Sequence, residues 1–309
     1  MTGEQHHARG VMWAAASATA YSLSSVVGKD LLDSLGPTSL LFWRFTVATA
    51  VLWTVLALWR RKGGPDPMAV PKRVALGLGV MFGLLVLLGF IALERLDASV
   101  YIVVVYTYPV FVVIGTSLLG VRTGWATWVA LAVVMVGVVL TVPQLFDGTG
   151  TISGVGLALT IAQAVVFAAF MITASRFMPR SVDGVVSAAW QTLGAALVMT
   201  PLALWNGLVA PRGSNLLVEV ALFALIPTVV SSVCFFRSLR YIAPGIAAMV
   251  LTLEVALAII WSVLFLGEHV RFIQILGAVV VVAGVLLAQW VNANAARRAD
   301  DVMSTPPAV

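Results

Sequence analysis

Apolar runs and short polar breaks alternate along the whole chain. The runs predict transmembrane helices, because about 20 consecutive apolar residues span the hydrocarbon core of a bilayer. The pattern places spans at 11–27, 39–59, 74–93, 98–119 and 125–142, then a polar connector at 143–153, then spans at 154–172, 185–204, 220–239, 245–266 and 272–291. Residues 1–10 read as a polar N-terminal tail and 292–309 as a disordered tail. Proline interrupts the fourth span at Pro109 and the eighth at Pro227, and Gly77, Gly79, Gly83 and Gly89 in the third span favour close helix contact.

The second half of the pattern repeats the first. F-I-A-L at Phe90 to Leu93 returns as F-R-S-L at Phe236 to Leu239, Leu119-Gly120 returns as Leu266-Gly267, and V-G-V-V-L from Val136 returns as A-G-V-L-L from Ala283. The offset is 236 − 90 = 146 at the start and 267 − 120 = 147 at the end. Five spans per copy is an odd number, so the second copy enters the bilayer from the opposite face. The expected fold is therefore an all-α membrane protein with ten transmembrane helices in two inverted five-helix repeats, 11–142 and 154–291.

Composition strengthens this reading: 61% of the residues are hydrophobic and 10% charged, with a mean hydropathy of +1.04. A net charge of +5 would suggest nucleic acid in a soluble protein. Here the basic residues occupy short loops and report orientation instead, so no nucleic-acid partner is expected. Arg60, Arg61, Lys62, Lys72, Arg73, Arg122, Arg176, Arg180, Arg237 and Arg240 fall on the side of both termini, against Lys29, Arg95, Arg212 and Arg271 on the other. Both termini are expected to be cytoplasmic, in the inner (plasma) membrane. The single cysteine, Cys234, excludes an internal disulfide.

No nucleophile, metal or phosphate-loop signature stands out, so no enzyme activity, metal or cofactor is expected. His6 and His7 lie in the polar tail, and His269 sits in a turn beside Glu268. The informative residues are polar ones inside spans, where a charge costs roughly 2.5–3.5 kcal/mol and usually faces a cavity or a partner. Arg44 lies about 9 Å into its span and Glu254 near the midplane. Together they form either a structural ion pair or a site for a zwitterion, and Glu254 is the proton-coupling candidate. Tyr108 is the repeat counterpart of Glu254, since 254 − 108 = 146, and shares a helical face with Tyr101 and Val105. Pro109 frees the carbonyl of Val105 and marks a hinge. Gln163 and Gln191 complete the substrate-binding candidates. Trp59, Trp125 and Trp290 suit an interfacial belt, whereas Trp43, Trp190 and Trp261 lie deeper, where they line a cavity or pack.

Pro37 followed by Arg44, the stretch from Leu93 to Pro109, and L-E-V-A-L-A-I-I-W-S-V-L-F-L-G-E from Leu253 to Glu268 resemble the drug/metabolite transporter superfamily, in particular its EamA-type exporters. Two positions depart from that pattern. Val255 stands where proline is usual, which favours a ninth helix straighter than the fourth, and Val121 stands where a glutamate would follow Leu-Gly. The resemblance implies secondary transport by alternating access, outward, of amino acids or related amphiphilic metabolites. Its implied partners are the lipid bilayer, a small-molecule metabolite and protons as candidate coupling ion; a homodimer is compatible. An importer or a sugar-type exchanger of the same fold stays open, as does a membrane enzyme or scaffold.

Overall fold

The computed structural model describes residues 3–24, 31–32, 34–96, 98–121, 123–142, 153–266 and 270–304, and every regular element among them is helical. In chain order they are α1 (Gly3–Ser22), α2 (Pro37–Arg60), α3 (Lys72–Leu93), α4 in two parts (Ala98–Val105 and Tyr108–Leu118), α5 (Trp125–Leu140), α6 (Gly154–Phe177), α7 (Gly184–Trp205), α8, α9 and α10. α8 joins Ser214–Ala224 and Ser231–Leu239 through a π-helical turn, Leu225–Val230; α9 is Pro244–Leu251 and Leu253–Leu266; α10 is Phe272–Ser304. Eight of these helical stretches are long and apolar enough to cross a membrane, α5 is a shorter apolar helix, and α1 begins with polar residues. Local chemistry sets several starts. Gly36 takes a φ of 69° ahead of Pro37 in the first turn of α2, and the Ser153 and Asp183 side chains accept from the Gly156 and Val185 N–H groups to cap α6 and α7.

Both ends of the chain depart from the expected polar tails. α1 already starts at Gly3, and His7 Nε2 donates to Gln289 Oε1 of α10 at 2.9 Å while the His6 ring lies 5.8 Å from that of Tyr241. The hydrogen bond to α10 and the ring contact just after α8 give these polar residues partners within the bundle. α10 likewise runs past Val291 to Ser304, where a disordered segment was expected. Ala293, Ala295, Ala296, Arg297, Arg298 and Ala299 are strong helix formers, and no proline follows until Pro306. The expected end of the first span at Val27, most of the 143–153 connector, Arg122, and the Gly267, Glu268 and His269 end of the long motif lie outside the described residues.

The sequence repeat reappears as a structural one. Equivalent helices start 184 − 37 = 147, 244 − 98 = 146 and 272 − 125 = 147 residues apart. Packing follows the same exchange: α3 packs on α6 and α7, and its counterpart α8 packs on α1 and α2, while α2 meets α7 and α5 meets α10 across the pseudo-axis. Glycines set the two closest seams. A Cβ on Gly79 would stand 2.7 Å from the Gly194 Cα, fixing α3 against α7. A Cβ on Gly137 would stand 2.6 Å from the Val281 nitrogen, and one on its counterpart Gly284 would stand 2.8 Å from the Val134 nitrogen. Gly77, expected to share in this packing, meets nothing within 4 Å.

Contacts between loops and helix ends obey the alternation. On the face carrying both termini, Arg237 lies over Trp13 at 4.9 Å and Trp190 Nε1 donates to the Pro67 carbonyl at 2.9 Å. On the opposite face, Trp43 Nε1 donates to the Val209 carbonyl at 2.9 Å and Gln274 Nε2 to that of Thr141 at 3.4 Å. Trp43 and Trp190 are repeat counterparts (190 − 147 = 43), each tying down a loop of the other half. Trp261 Nε1 similarly donates to Ser22 Oγ at 2.8 Å. The deeper tryptophans are thus staples between segments.

Candidate functional site between the broken helices

α4 and α9 both break near half depth, at Tyr106–Thr107 and at Thr252. In each, a threonine turns its hydroxyl back on its own helix: Thr107 Oγ1 donates to the Val104 carbonyl and Thr252 Oγ1 to the Met249 carbonyl, both at 2.6 Å. Such back-bonding competes with the helical ladder and bends helices. In α4 the break is reinforced by Pro109, which sits in the first turn of the second part, where its missing N–H costs least. α9 has its proline, Pro244, at its start and none at the break, where Thr252 alone leaves the helix, compared with Tyr106 and Thr107 in α4.

Around the two breaks the structure gathers a polar and aromatic cluster. Tyr108 is buried, its hydroxyl donates to the Ala248 carbonyl in the first part of α9 at 3.1 Å, and its ring lies 4.6 Å from Phe167 of α6. Seven residues back, Tyr101 is half-buried and also faces α6: its hydroxyl and Gln163 Nε2 both border Gly89. With Nε2 on that side, the Gln163 Oε1 is buried without a hydrogen-bond partner among the described residues. Tyr106 lies 6.1 Å from Tyr108 between ring centroids and within electrostatic range of the Glu254 carboxyl. Glu254 and Tyr106 are half-buried, although both sit mid-helix. Tyr21 of α1 lies within electrostatic range of both Glu254 and Arg44.

Arg44 is held differently. It is 3% exposed, its Nε donates to Thr228 Oγ1 at 2.6 Å, its Nη2 donates to the Pro227 carbonyl at 3.3 Å, and the guanidinium lies 4.7 Å over the Phe223 ring. The acceptors come from the π-helical turn of α8, which changes the carbonyl pattern around Pro227; π turns of this kind are frequent at functional sites. No salt bridge joins Arg44 to Glu254 among the described residues. The expected pair is therefore not an ion pair: the arginine is fixed by neutral acceptors and an aromatic face, and the carboxyl faces the tyrosines.

Of the expected site residues, Tyr101, Tyr108, Gln163 and Glu254 come together, and Arg44 lies within electrostatic range of Glu254 without a salt bridge to it among the described residues. Gln191 sits in the α3–α7 seam with its carbonyl against Gly79, its buried Oε1 unpartnered, and nothing among the described residues ties its side chain to the tyrosines. Tyr21, Tyr106 and Thr228 were not anticipated. The repeat could have found Tyr21: it stands to Glu254 as Phe167 stands to Tyr108, since 167 − 146 = 21 and 254 − 146 = 108. Nearer the face carrying the termini lies a separate cleft of about 330 Å³, lined by Val113, Thr116, Ser175, Arg176 and Gly245 among others. The Tyr108–Ala248 contact is about one helical turn deeper, between this cleft and the cluster.

The profile of the EamA-like transporter family matches residues 8–142 and again 155–290, one match for each five-helix half. The chain belongs to the EamA-like transporter family. This transporter is 24% identical over 227 residues to the uncharacterized transporter sll1319 of Synechocystis sp., covering 70% of this chain and 66%, just under two thirds, of that one. It is 26% identical over 258 residues to the uncharacterized transporter YcbK of Bacillus subtilis, covering 78% of this chain and 80% of that one. A solved crystal structure superposes with a TM-score of 0.80 over 94% of this chain and 99% of the other at 18% identity, which shows a shared fold. Two inverted repeats, apolar helices and family membership make this a multi-pass membrane transporter.

Proposed function

We propose that this EamA transporter moves amino acids or related amphiphilic metabolites outward across the inner membrane by alternating access, with both termini cytoplasmic and Glu254 exchanging protons. The observation that carries the reading is the unequal packing of the two broken helices. The second part of α4 and the first part of α9 pack on each other through Tyr108 and Ala248, closing the cluster from the terminal face. Both parts of α4 pack on α6 and both parts of α9 on α1 and α10, so what distinguishes the halves of the two helices is this mutual contact. Breaks at half depth let the two parts of each helix tilt separately, and inverted repeats supply the closure related by the pseudo-two-fold axis. The cleft beside Arg176 lies where a path from the terminal face would begin.

Glu254 is faced by Tyr21 from α1, Arg44 from α2 and Tyr106 and Tyr108 from α4. A carboxyl among these groups can alternate between a proton and a substrate charge as the site changes sides. The test is flux of radiolabelled amino acids in proteoliposomes with and without an imposed pH gradient. The wild type should transport faster with the gradient, and Glu254→Gln should transport at a rate that no longer follows pH. A wild type indifferent to the gradient removes proton exchange, and an absence of flux for the entire panel removes amino acids as the substrate class.

A further inference from the structure

We propose that the central site selects its substrate by a protonated amine, seated between the Glu254 carboxylate, the Gln163 Oε1 and the rings of Tyr101, Tyr106 and Tyr108, and leaves a substrate carboxylate without a dedicated partner. The inference rests on reading this cluster as the substrate site, and it narrows the chemistry that site accepts. Three observations carry it.

The first is that the cationic group nearest the cluster is already occupied. Arg44 is 3% exposed, with Nε on Thr228 Oγ1, Nη2 on the Pro227 carbonyl and its face against Phe223. These contacts take two of its five N–H donors, and with 3% of the residue exposed a substrate carboxylate could reach the other three only after the packing around Arg44 opened. The second is that two acceptors of the cluster lack, among the described residues, a cationic or hydrogen-bonding partner of the kind an amine supplies. Glu254 is half-buried and has no basic group within 4 Å among the described residues, and Gln163 Oε1 is buried without a partner. An ammonium brings three donors and one positive charge, which such acceptors lack. The third is the aromatic wall. Tyr106 and Tyr108 lie 6.1 Å apart and Phe167 lies 4.6 Å beyond Tyr108, with Tyr101 beside Gln163. Rings around a desolvated cation add attraction and accept an apolar side chain equally well.

The experiment measures binding to the detergent-purified wild type by thermal shift and by competition for one labelled amino acid. The ligands are leucine, phenylalanine and tryptophan, each with its amide, its decarboxylated amine and its N-acetyl derivative. The amide and the amine should bind within a few-fold of the parent. Blocking the amine should cost on the order of 30-fold or more, the usual scale for leaving a buried charge unpaired. Glu254→Gln should lose the amines by a similar factor, and Glu254→Asp should recover part of the loss if the variant is folded, as its thermal transition will report.

Tight binding of the N-acetyl derivatives with loss of the amides overturns the proposal in favour of a carboxylate site. Binding of the free amino acids alone overturns the claim that the carboxylate lacks a partner. Equal binding by the whole series overturns selection by the amine but leaves the cluster as a substrate site. Amine binding untouched by Glu254→Gln places the amine elsewhere and overturns it too. No binding by any compound removes both this proposal and the amino-acid reading it rests on.

Discussion

Arg44 shows how one residue type in a membrane span can carry two meanings that only its neighbours separate. A buried arginine needs acceptors for a planar fork of donors, and here the π turn of α8 supplies a carbonyl and a hydroxyl at the right spacing. These contacts tie α2 to α8. Arg44→Lys should destabilise the protein by about 1–3 kcal/mol, because an ammonium cannot serve both acceptors while covering Phe223. Thermal unfolding in detergent checks this, together with Thr228→Val, whose effect should overlap that of Arg44→Lys. Unchanged stability with weakened ligand binding would return Arg44 to the substrate site. The presence of Arg44 was legible from its place inside an apolar run; its partner was not, because no local pattern marks Thr228 as its acceptor across 184 positions of chain.

At the scale of elements, the two breaks matter most. Pro109 was readable as an interruption, since it removes a donor from the helical ladder wherever it stands. The α9 break was harder to read, because a threonine within a helix usually stays helical and Val255 argued for continuity. Their positions do agree through the repeat, since 252 − 106 = 146. If the α4 break is a hinge, Pro109→Ala restores a donor toward Val105 and stiffens it. A regained hydrogen bond is worth about 1 kcal/mol net, or about fivefold in a rate it opposes. Turnover in proteoliposomes should fall by that factor with apparent affinity unchanged, and equal turnover would show that α4 does not bend during transport. The Asp183 clasp, 3.8 Å from both Arg237 and Arg240, has no counterpart in the first half, where Gly36 stands at the equivalent position. Partly exposed pairs of this kind contribute little to stability, so the asymmetry bears on loop position more than on folding.

For the whole molecule, orientation is the property most open to a direct test. The single native cysteine makes it simple: in a Cys234→Ala background, Met68→Cys and Val209→Cys place reporters in loops on opposite faces, and both positions are exposed. A membrane-impermeant maleimide added to intact cells should label Val209→Cys and spare Met68→Cys. The reverse pattern would invert the assignment of the cytoplasmic face while leaving the fold untouched.

The sequence alone determined the number and order of the spans, their inverted repetition and the handful of polar residues worth attention, because apolar run length, odd span count and polarity at depth are local properties. It also placed Tyr108 opposite Glu254 in the repeat. Tertiary structure decided what those residues touch. It put Glu254 among tyrosines with Arg44 in range but bonded elsewhere, left Gln191 in a helix seam, and brought in Tyr21, Tyr106 and Thr228. The physical reason is that a helix face acquires chemical meaning only from the helix packed against it, and a ten-helix bundle chooses those neighbours through glycine seams and a pseudo-symmetric exchange of partners that no single stretch of chain encodes.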